Sequence, residues 1–211
     1  MMKVLRIESG DHMPFSLQKQ FREPKGLMGW IVGKIMEFDN RRINKWSIQR
    51  IPIRKGDHIL EVGFGPGYCI DRIMKKHPGT AVDGVDLSPT MMDTANHKNK
   101  KAVDEGRVRL FVHDICEFQP DNVQYDHIFS VNNYPLWSDK QKALSHLFQM
   151  MKPEGTLLIT VQPRGEEERD SRARNYADEI SGELATAGFK NIDIQYKNVR
   201  PALTVSLSCT K

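Results

Sequence analysis

From Asp57 onward, short runs rich in β-formers are each closed by turn residues and followed by a stretch of helical period. That alternation restricts the fold more than any other feature, because parallel neighbours need a long crossover, usually a helix. Asp57 to Val62, Ala81 to Asp86, Val108 to Val112, Tyr125 to Val131 and Thr156 to Val161 read as strands one to five. Ile70, Ile73, Met74 and His77 mark a helix that Pro78 and Gly79 close. Ser88 reads as a helix cap with Pro89 at the first helical position, where the missing N–H costs nothing. Ser138 with Gln141 forms a capping-box pattern ahead of Leu144, Leu147, Phe148 and Met151. Ala173, Tyr176, Ala177, Ile180, Leu184 and Ala187 recur at helical spacing and stop at Gly188, a C-cap. The last two runs, Ile192 to Tyr196 and Leu203 to Ser208, are joined by a link too short for a helix, so they form an antiparallel hairpin. The expected fold class is α/β, a doubly wound, mostly parallel sheet with helices on both faces.

Upstream, Met28, Ile31, Val32, Ile35 and Met36 fall on one helical face. A second helix carries Ile43, Trp46 and Arg50 and ends before Pro52. The chain thus divides into a helical leader, residues 1–55, and a sheet domain, residues 56–211. Breakers, apolar and basic residues mix from Phe21 to Gly29, as in a lid, and Arg22 and Lys25 could meet an anionic acceptor. A length of 211 residues suits one core, and 39% hydrophobic with 27% charged residues favours neither disorder nor a fibre. With no signal-peptide run at Met1 to Gly10 and no stretch approaching the roughly 18 apolar residues of a membrane span, a cytoplasmic protein without a membrane partner is expected. Cys69, Cys116 and Cys209 are odd in number, far apart and outside any Cys-x-x-Cys spacing, so buried reduced thiols are expected and no metal. Residues 1 to 56 hold 12 Lys/Arg against 5 Asp/Glu, a charge of +7. Such a surface could meet an acidic partner. Aromatic and basic residues do not interleave as a stacking groove requires, so nucleic acid is not expected.

Between strand one and its helix stands Leu60-Glu61-Val62-Gly63-Phe64-Gly65-Pro66-Gly67. Glycines at such a turn let the backbone approach a ligand closely, which implies a nucleoside cofactor. The dinucleotide pattern Gly-x-Gly-x-x-Gly fails in both frames, meeting Tyr68 or Ile70. Gly-x-Gly-x-Gly after an acidic strand end resembles the first motif of class I S-adenosylmethionine-dependent methyltransferases. Strand two ends in Val85-Asp86-Leu87-Ser88, where a carboxylate can accept both ribose hydroxyls. His113-Asp114-Ile115 resembles the family position where an acid meets the adenine amino group and an apolar neighbour covers the ring. Met150 to Thr156 resembles the turn into strand five, with Glu154 where glycine is commoner. The similarity runs from about Gly56 to Lys211.

This resemblance implies S-adenosyl-L-methionine as cofactor and a seven-stranded sheet of order 3-2-1-4-5-7-6 with strand seven antiparallel. It also implies that Glu61 fixes the methionine amino group and that Gly63, Gly65 and Gly67 border methionine and ribose, with Tyr68 or Phe64 packed nearby. Leu87, Asp114, Ile115 and Ser130 complete the cofactor-binding set with Asp86. The sulfonium methyl is already activated, so alignment of an acceptor and exclusion of water suffice. Strand four runs out through Ser130-Val131-Asn132-Asn133-Tyr134-Pro135-Leu136-Trp137, which makes Asn132, Asn133, Tyr134 and Trp137 the acceptor-site candidates. The segment resembles the Asn-Pro-Pro-Tyr loop of amino-group methyltransferases with proline and tyrosine rearranged, so that specificity is not carried over. Packing of Tyr134 and Trp137 against the next helix is the alternative role. His127 falls at the wrong end of the sheet, and His113 lies closer. A chain this short leaves no room for a separate recognition domain, so a small-molecule acceptor, held by the strand-four loop and the leader, is expected. The alternatives are an RNA or protein methyltransferase docking through the basic leader, and a module that binds the cofactor without catalysis.

Overall fold

The computed structural model describes residues 41–163, 169–199 and 202–211. Seven strands, β1 (His58–Val62), β2 (Ala81–Asp86), β3 (Val108–Val112), β4 (Tyr125–Val131), β5 (Met151–Val161), β6 (Lys190–Val199) and β7 (Ala202–Thr210), form one sheet of order β3-β2-β1-β4-β5-β7-β6. The first five strands are parallel, and β7 runs antiparallel to both β5 and β6. The helices are α1 (residues 41–49), α2 (Tyr68–Lys76), α3 (Pro89–Lys98), α4 (Lys100–Asp104), α5 (Lys140–Met150) and α6 (Arg169–Thr186). This is the architecture and the strand order expected from the sequence.

Alternation along the strands builds a core on each face. Leu60 and Ile128 face α5 and α6, where Leu144, Leu147, Ile180 and Leu184 meet them. Ile59 and Phe129 face the other way, onto Ile48, Ile70, Ile73 and Met91 of α1, α2 and α3. The described part of the expected leader, residues 41–55, is packed into this second layer. Ser47 is fully buried, and its hydroxyl lies 2.9 Å from that of Thr160, which lies 2.8 Å from that of Ser206. The helix expected over Met28 to Met36 and the Phe21 to Gly29 segment lie outside the described residues.

Three local expectations shift. The cap of α5 is Asp139, whose carboxylate accepts from the Lys142 amide at 2.9 Å, while the Ser138 hydroxyl donates to Asp114 at 3.1 Å. A residue one position later won because a carboxylate caps a helix as well as a hydroxyl does and leaves Ser138 free for a partner across the fold. β5 begins at Met151 rather than Thr156, because Met151 pairs with Tyr125 ahead of an irregularity in the β4–β5 register. Glu154 there has φ of 62°, a left-handed conformation that glycine adopts with less strain. The hairpin strands β6 and β7 are also longer than their apolar runs suggested.

Toward the amino ends of the strands, Asp83, 1% exposed, accepts from Arg109 Nε and Nη2 at 2.8 and 2.6 Å and from the Tyr125 hydroxyl at 2.8 Å, with His58 Nε2 3.2 Å away. Burial raises its carboxyl, but the bonds from His58, Arg109 and Tyr125 hold it below the usual aspartate value. The stability Asp83 contributes is therefore full above the ordinary value of about 4 and lost as pH falls through the lower folded value. Asp83→Ala, which strands Arg109 and Tyr125, is expected to cost about 2 to 3 kcal/mol near neutrality, at the low end because Arg109 is partly in solvent. The gap to the unsubstituted protein should close on acidification below about pH 4. Urea unfolding at neutral and acid pH checks this, and a gap that widens in acid would contradict it.

Candidate functional site

β1 and β4 lie side by side, with Val62 opposite Ser130, yet the sheet continues from β1 toward β2 and from β4 toward β5. That divergence leaves a crevice beyond their carboxyl ends, where doubly wound sheets take ligands. A cavity fills it. Its walls are Val62 and Gly63 after β1, Val85, Asp86 and Leu87 after β2, His113, Asp114 and Ile115 after β3, and Asn133, Leu136 and Trp137 after β4.

The turn after β1 is shaped by its neighbours. Gly63 has φ of 77°, its amide donates to the Val85 carbonyl at 2.7 Å, and a Cβ on it would lie 2.2 to 2.5 Å from the Asn133 side chain. No side chain other than hydrogen fits. Gly65 differs, with φ of 50° and open space where a Cβ would stand, so its backbone is bare on that side. The Gly65 amide donates to one Asp86 carboxylate oxygen at 2.9 Å, and the Ser88 amide donates to the other at 2.9 Å. The carboxylate keeps acceptor capacity beyond these amides for a hydroxyl. Burial raises the Asp86 carboxyl, and the amides of Gly65, Ser88 and Leu87 pull it down again in part. Leu87 is 53% exposed, an apolar side chain on the cavity rim with no core to cover it.

Across the cavity, Asp114 accepts from the Cys116 amide at 2.8 Å and from Ser138. Burial raises its carboxyl, but those bonds, the Cys116 thiol and the positive Lys142 together hold it below the usual range. Ile115 is buried beside it and His113 is exposed. Two buried polar atoms at the ends of β1 and β4, Glu61 Oε2 and Ser130 Oγ, have no hydrogen-bond partner among the described residues, as is also true of His58 Nε2 at the far end of β1. Burial raises the Glu61 carboxyl well above the usual range, and the charge of Asp86 adds to this; the Cys69 thiol and Ile70 amide oppose it. An unpaired buried acceptor costs about 1 to 3 kcal/mol, so a ligand bearing an amino group would satisfy one. The orphaned Glu61 oxygen, the bare backbone at Gly65 and the spare acceptor capacity of Asp86 fit S-adenosylmethionine.

The remaining sequence candidates divide. Phe64 is buried in the core, 2.7 Å from where a Cβ on Gly84 would stand, and Gly67 starts α2 against Ala95 and Asn99. Neither lines the cavity, and Glu61, Gly65 and Ser130 are not among its walls either. Asn132, at φ of 55°, bridges the strand ends, its amide donating to Thr160 at 2.8 Å and its side-chain oxygen accepting from the Gln162 amide at 2.7 Å. Tyr134 is fully buried, its hydroxyl donating to Glu183 of α6 and its ring 5.2 Å from Trp137. It braces the loop from behind. Asn133 and Trp137 do line the cavity, and the indole N–H donates to the Asn133 side-chain oxygen at 2.8 Å. Sequence reasoning missed Val62 and Val85 near strand ends and Leu136 in the loop after β4 as walls, since an apolar side chain carries no mark of a ligand. It also missed Glu183, whose partner lies 49 residues away in sequence. Among the described residues, no group of three His, Cys, Asp or Glu side chains is placed to hold a metal ion.

Comparison with known proteins gives this crevice its context. Residues 59–155 match the family model of a methyltransferase domain. An uncharacterised methyltransferase of Bacillus subtilis is 36% identical over 181 residues, covering 86% of this chain and 98% of its own. The malonyl-[acyl-carrier protein] O-methyltransferase of Priestia megaterium is 36% identical over 107 residues, 51% of this chain but only 37% of that protein. The structure of Haemonchus contortus phosphoethanolamine N-methyltransferase 2, in complex with phosphomonomethylethanolamine and S-adenosylhomocysteine, matches with a TM-score of 0.69 at 18% identity. That match covers 86% of this chain and 57% of the Haemonchus chain. With the sheet order, the glycine turn and a near full-length relative in agreement, the chain belongs to the class I S-adenosylmethionine-dependent methyltransferases.

Proposed function

We propose that this methyltransferase passes its methyl group to a small-molecule acceptor, by in-line displacement in a pocket bounded by the loop after β4 and the amino-terminal leader. The observation that carries this reading is the pairing of Asn133 with Trp137 in the cavity wall. The indole N–H occupies the Asn133 oxygen and so fixes which end of the carboxamide remains available. What remains is an N–H donor beside Gly63, suited to hold an oxygen of the acceptor, next to an indole face that excludes water. Asn132 and Tyr134, occupied with bracing, drop out of the acceptor set. Of the relatives, the Haemonchus structure holds a phosphorylated ethanolamine, a small polar molecule, and the Priestia protein is named for a malonyl group borne on an acyl-carrier protein.

Bound S-adenosylmethionine would supply an already activated methyl and leave as S-adenosylhomocysteine, and an acceptor that arrives as a carboxylate or neutral amine needs no dedicated base of the chain for the attack. Asp86 would hold the ribose hydroxyls, Asp114 the adenine amino group, and Leu87 and Ile115 the faces of the ring. Glu61 would hold the methionine amino group, with Ser130 beside it, and Gly65 would border the cofactor backbone to backbone. The test is incubation with methyl-labelled S-adenosylmethionine and fractionated metabolites, RNA or protein: label entering a metabolite supports the reading, and label entering only macromolecules overturns it.

Asp86→Ala is expected to weaken cofactor affinity by about 1.5 to 3 kcal/mol, the range for hydrogen bonds to a charged group. Calorimetry on the folded variant checks this, and unchanged affinity would remove Asp86 from the ribose site. A pH effect should accompany it. In the free protein Glu61 keeps its proton to unusually high pH, and an ammonium group against it favours the carboxylate, so binding should release a proton. Affinity should rise as pH climbs from about 4.3, the ordinary glutamate value, toward the raised one. Calorimetry in buffers of different ionisation enthalpy reads the proton directly; Glu61→Gln should abolish the release, and a release equal to that of the unsubstituted protein would assign it elsewhere.

A further inference from the structure

Among the described residues no strand lies beyond β6, which closes one side of the sheet. Every residue from Asp193 to Asn198 is exposed. Ile194 and Tyr196, 37% and 40% exposed, are the large hydrophobic side chains that the described surface shows besides Leu87 in the cavity. A long edge with exposed apolar residues is a template for another strand unless a bulge, proline or cover blunts it. Here the irregularity lies only at the start, between Lys190 and Asp193, where Asn191 has φ of 53°. From Asp193 to Val199 the ladder against β7 is regular.

The two faces of this edge differ. Tyr196 and Ile194 lie on the α6 face, where the Arg174 guanidinium stands 5.4 Å from the Tyr196 ring centre. Asp193, Gln195 and Lys197 lie on the α1 face, where Asp193 accepts from Arg50 at 2.7 Å and the Lys197 ammonium is 5.6 Å from the Trp46 ring centre. When a strand pairs antiparallel with a copy of itself, a twofold axis passes through one residue and fixes every other pair. An axis through Gln195 sets Asp193 opposite Lys197 and Ile194 opposite Tyr196, each pair made twice. An axis through Asp193 or Lys197 opposes like charges. An axis through Ile194 or Tyr196 sets a charged residue against Gln195 and leaves no ion pair. The Gln195 register alone gives opposite charges across one face and apolar pairs across the other, the two kinds of cross-strand contact that stabilise a sheet.

We propose that the protein is a homodimer in which the β6 strands of two copies pair antiparallel about Gln195, joining two seven-stranded sheets into one. The cofactor crevice, between β1 and β4, stays open in both copies. Sedimentation of the full chain over a concentration series should show a dimer. Lys197→Glu, which faces Asp193 with a like charge at two places, should raise the dimer dissociation constant at least about tenfold while leaving cofactor affinity unchanged. Gln195→Cys should form a disulfide-linked dimer under mild oxidation, against no native background because Cys69, Cys116 and Cys209 are buried. Asn198→Cys, about 20 Å from its own copy in this register, should not. A protein that stays monomeric at all concentrations overturns the proposal. A dimer that ignores Lys197→Glu, or in which Gln195→Cys fails to cross-link, places the interface elsewhere and overturns it equally.

Discussion

A Cβ on residue 63 would lie 2.2 Å from the Asn133 side chain, and the geometry of the site follows from that close approach. The chain leaves β1 and β4 at neighbouring points, and both exits must fit above the same two strand ends. Glycine lets the first exit turn with positive φ and lie flat. The Asn133 carboxamide then crosses it, and Trp137 locks that carboxamide in place. The turn after β1 is held on its other side by β2, through the Val85 carbonyl and the Asp86 carboxylate. Two strands thus position the glycine turn, and the turn positions the strand-four loop. A crevice built this way is largely formed before any ligand arrives.

The sheet's two ends carry different chemistry. At the amino ends, buried charges are matched within the chain: Asp83 by Arg109, Tyr125 and His58, and Asp57 by His127 at 3.0 Å. Among the described residues, Glu61 and Ser130 at the carboxyl ends each leave a buried polar atom without a hydrogen bond, as does His58 Nε2 at the amino ends, which has the Asp83 carboxylate 3.2 Å away. Desolvation without a partner is tolerated where a ligand will supply one, and His58 Nε2 already stands beside a carboxylate while the two carboxyl-end atoms adjoin the crevice.

Much of this was legible in the sequence because it rests on local signals. The strand–helix alternation, the short hairpin link and the Gly-x-Gly-x-Gly turn each act over fewer than a dozen residues, and each predicted an element or a cavity wall that the structure contains. Asp86 and Asn133, which line the cavity, were found by their place at strand ends, and Asp114 by the resemblance of its segment to the family's adenine position. What the sequence hid is pairwise and long-range. Phe64, next to a cavity glycine, turns into the core because Gly84 leaves room beneath it. Tyr134 turns inward because Glu183, 49 residues on, receives its hydroxyl. Periodicity reports which face a residue takes, but a loop side chain has no period, and its direction is settled by a partner that only folding brings near.

The central claim is that one preformed crevice at the carboxyl ends of β1 to β4 binds the cofactor. Titrating isotope-labelled protein with S-adenosylhomocysteine and following backbone amides by NMR tests it residue by residue. The account predicts large shifts at Gly63, Gly65, Leu87 and Ile115, with little change at Asp57, His58 or His127 at the opposite end. Saturable shifts centred on those amino-end residues, with Gly65 and Leu87 unmoved, would contradict it.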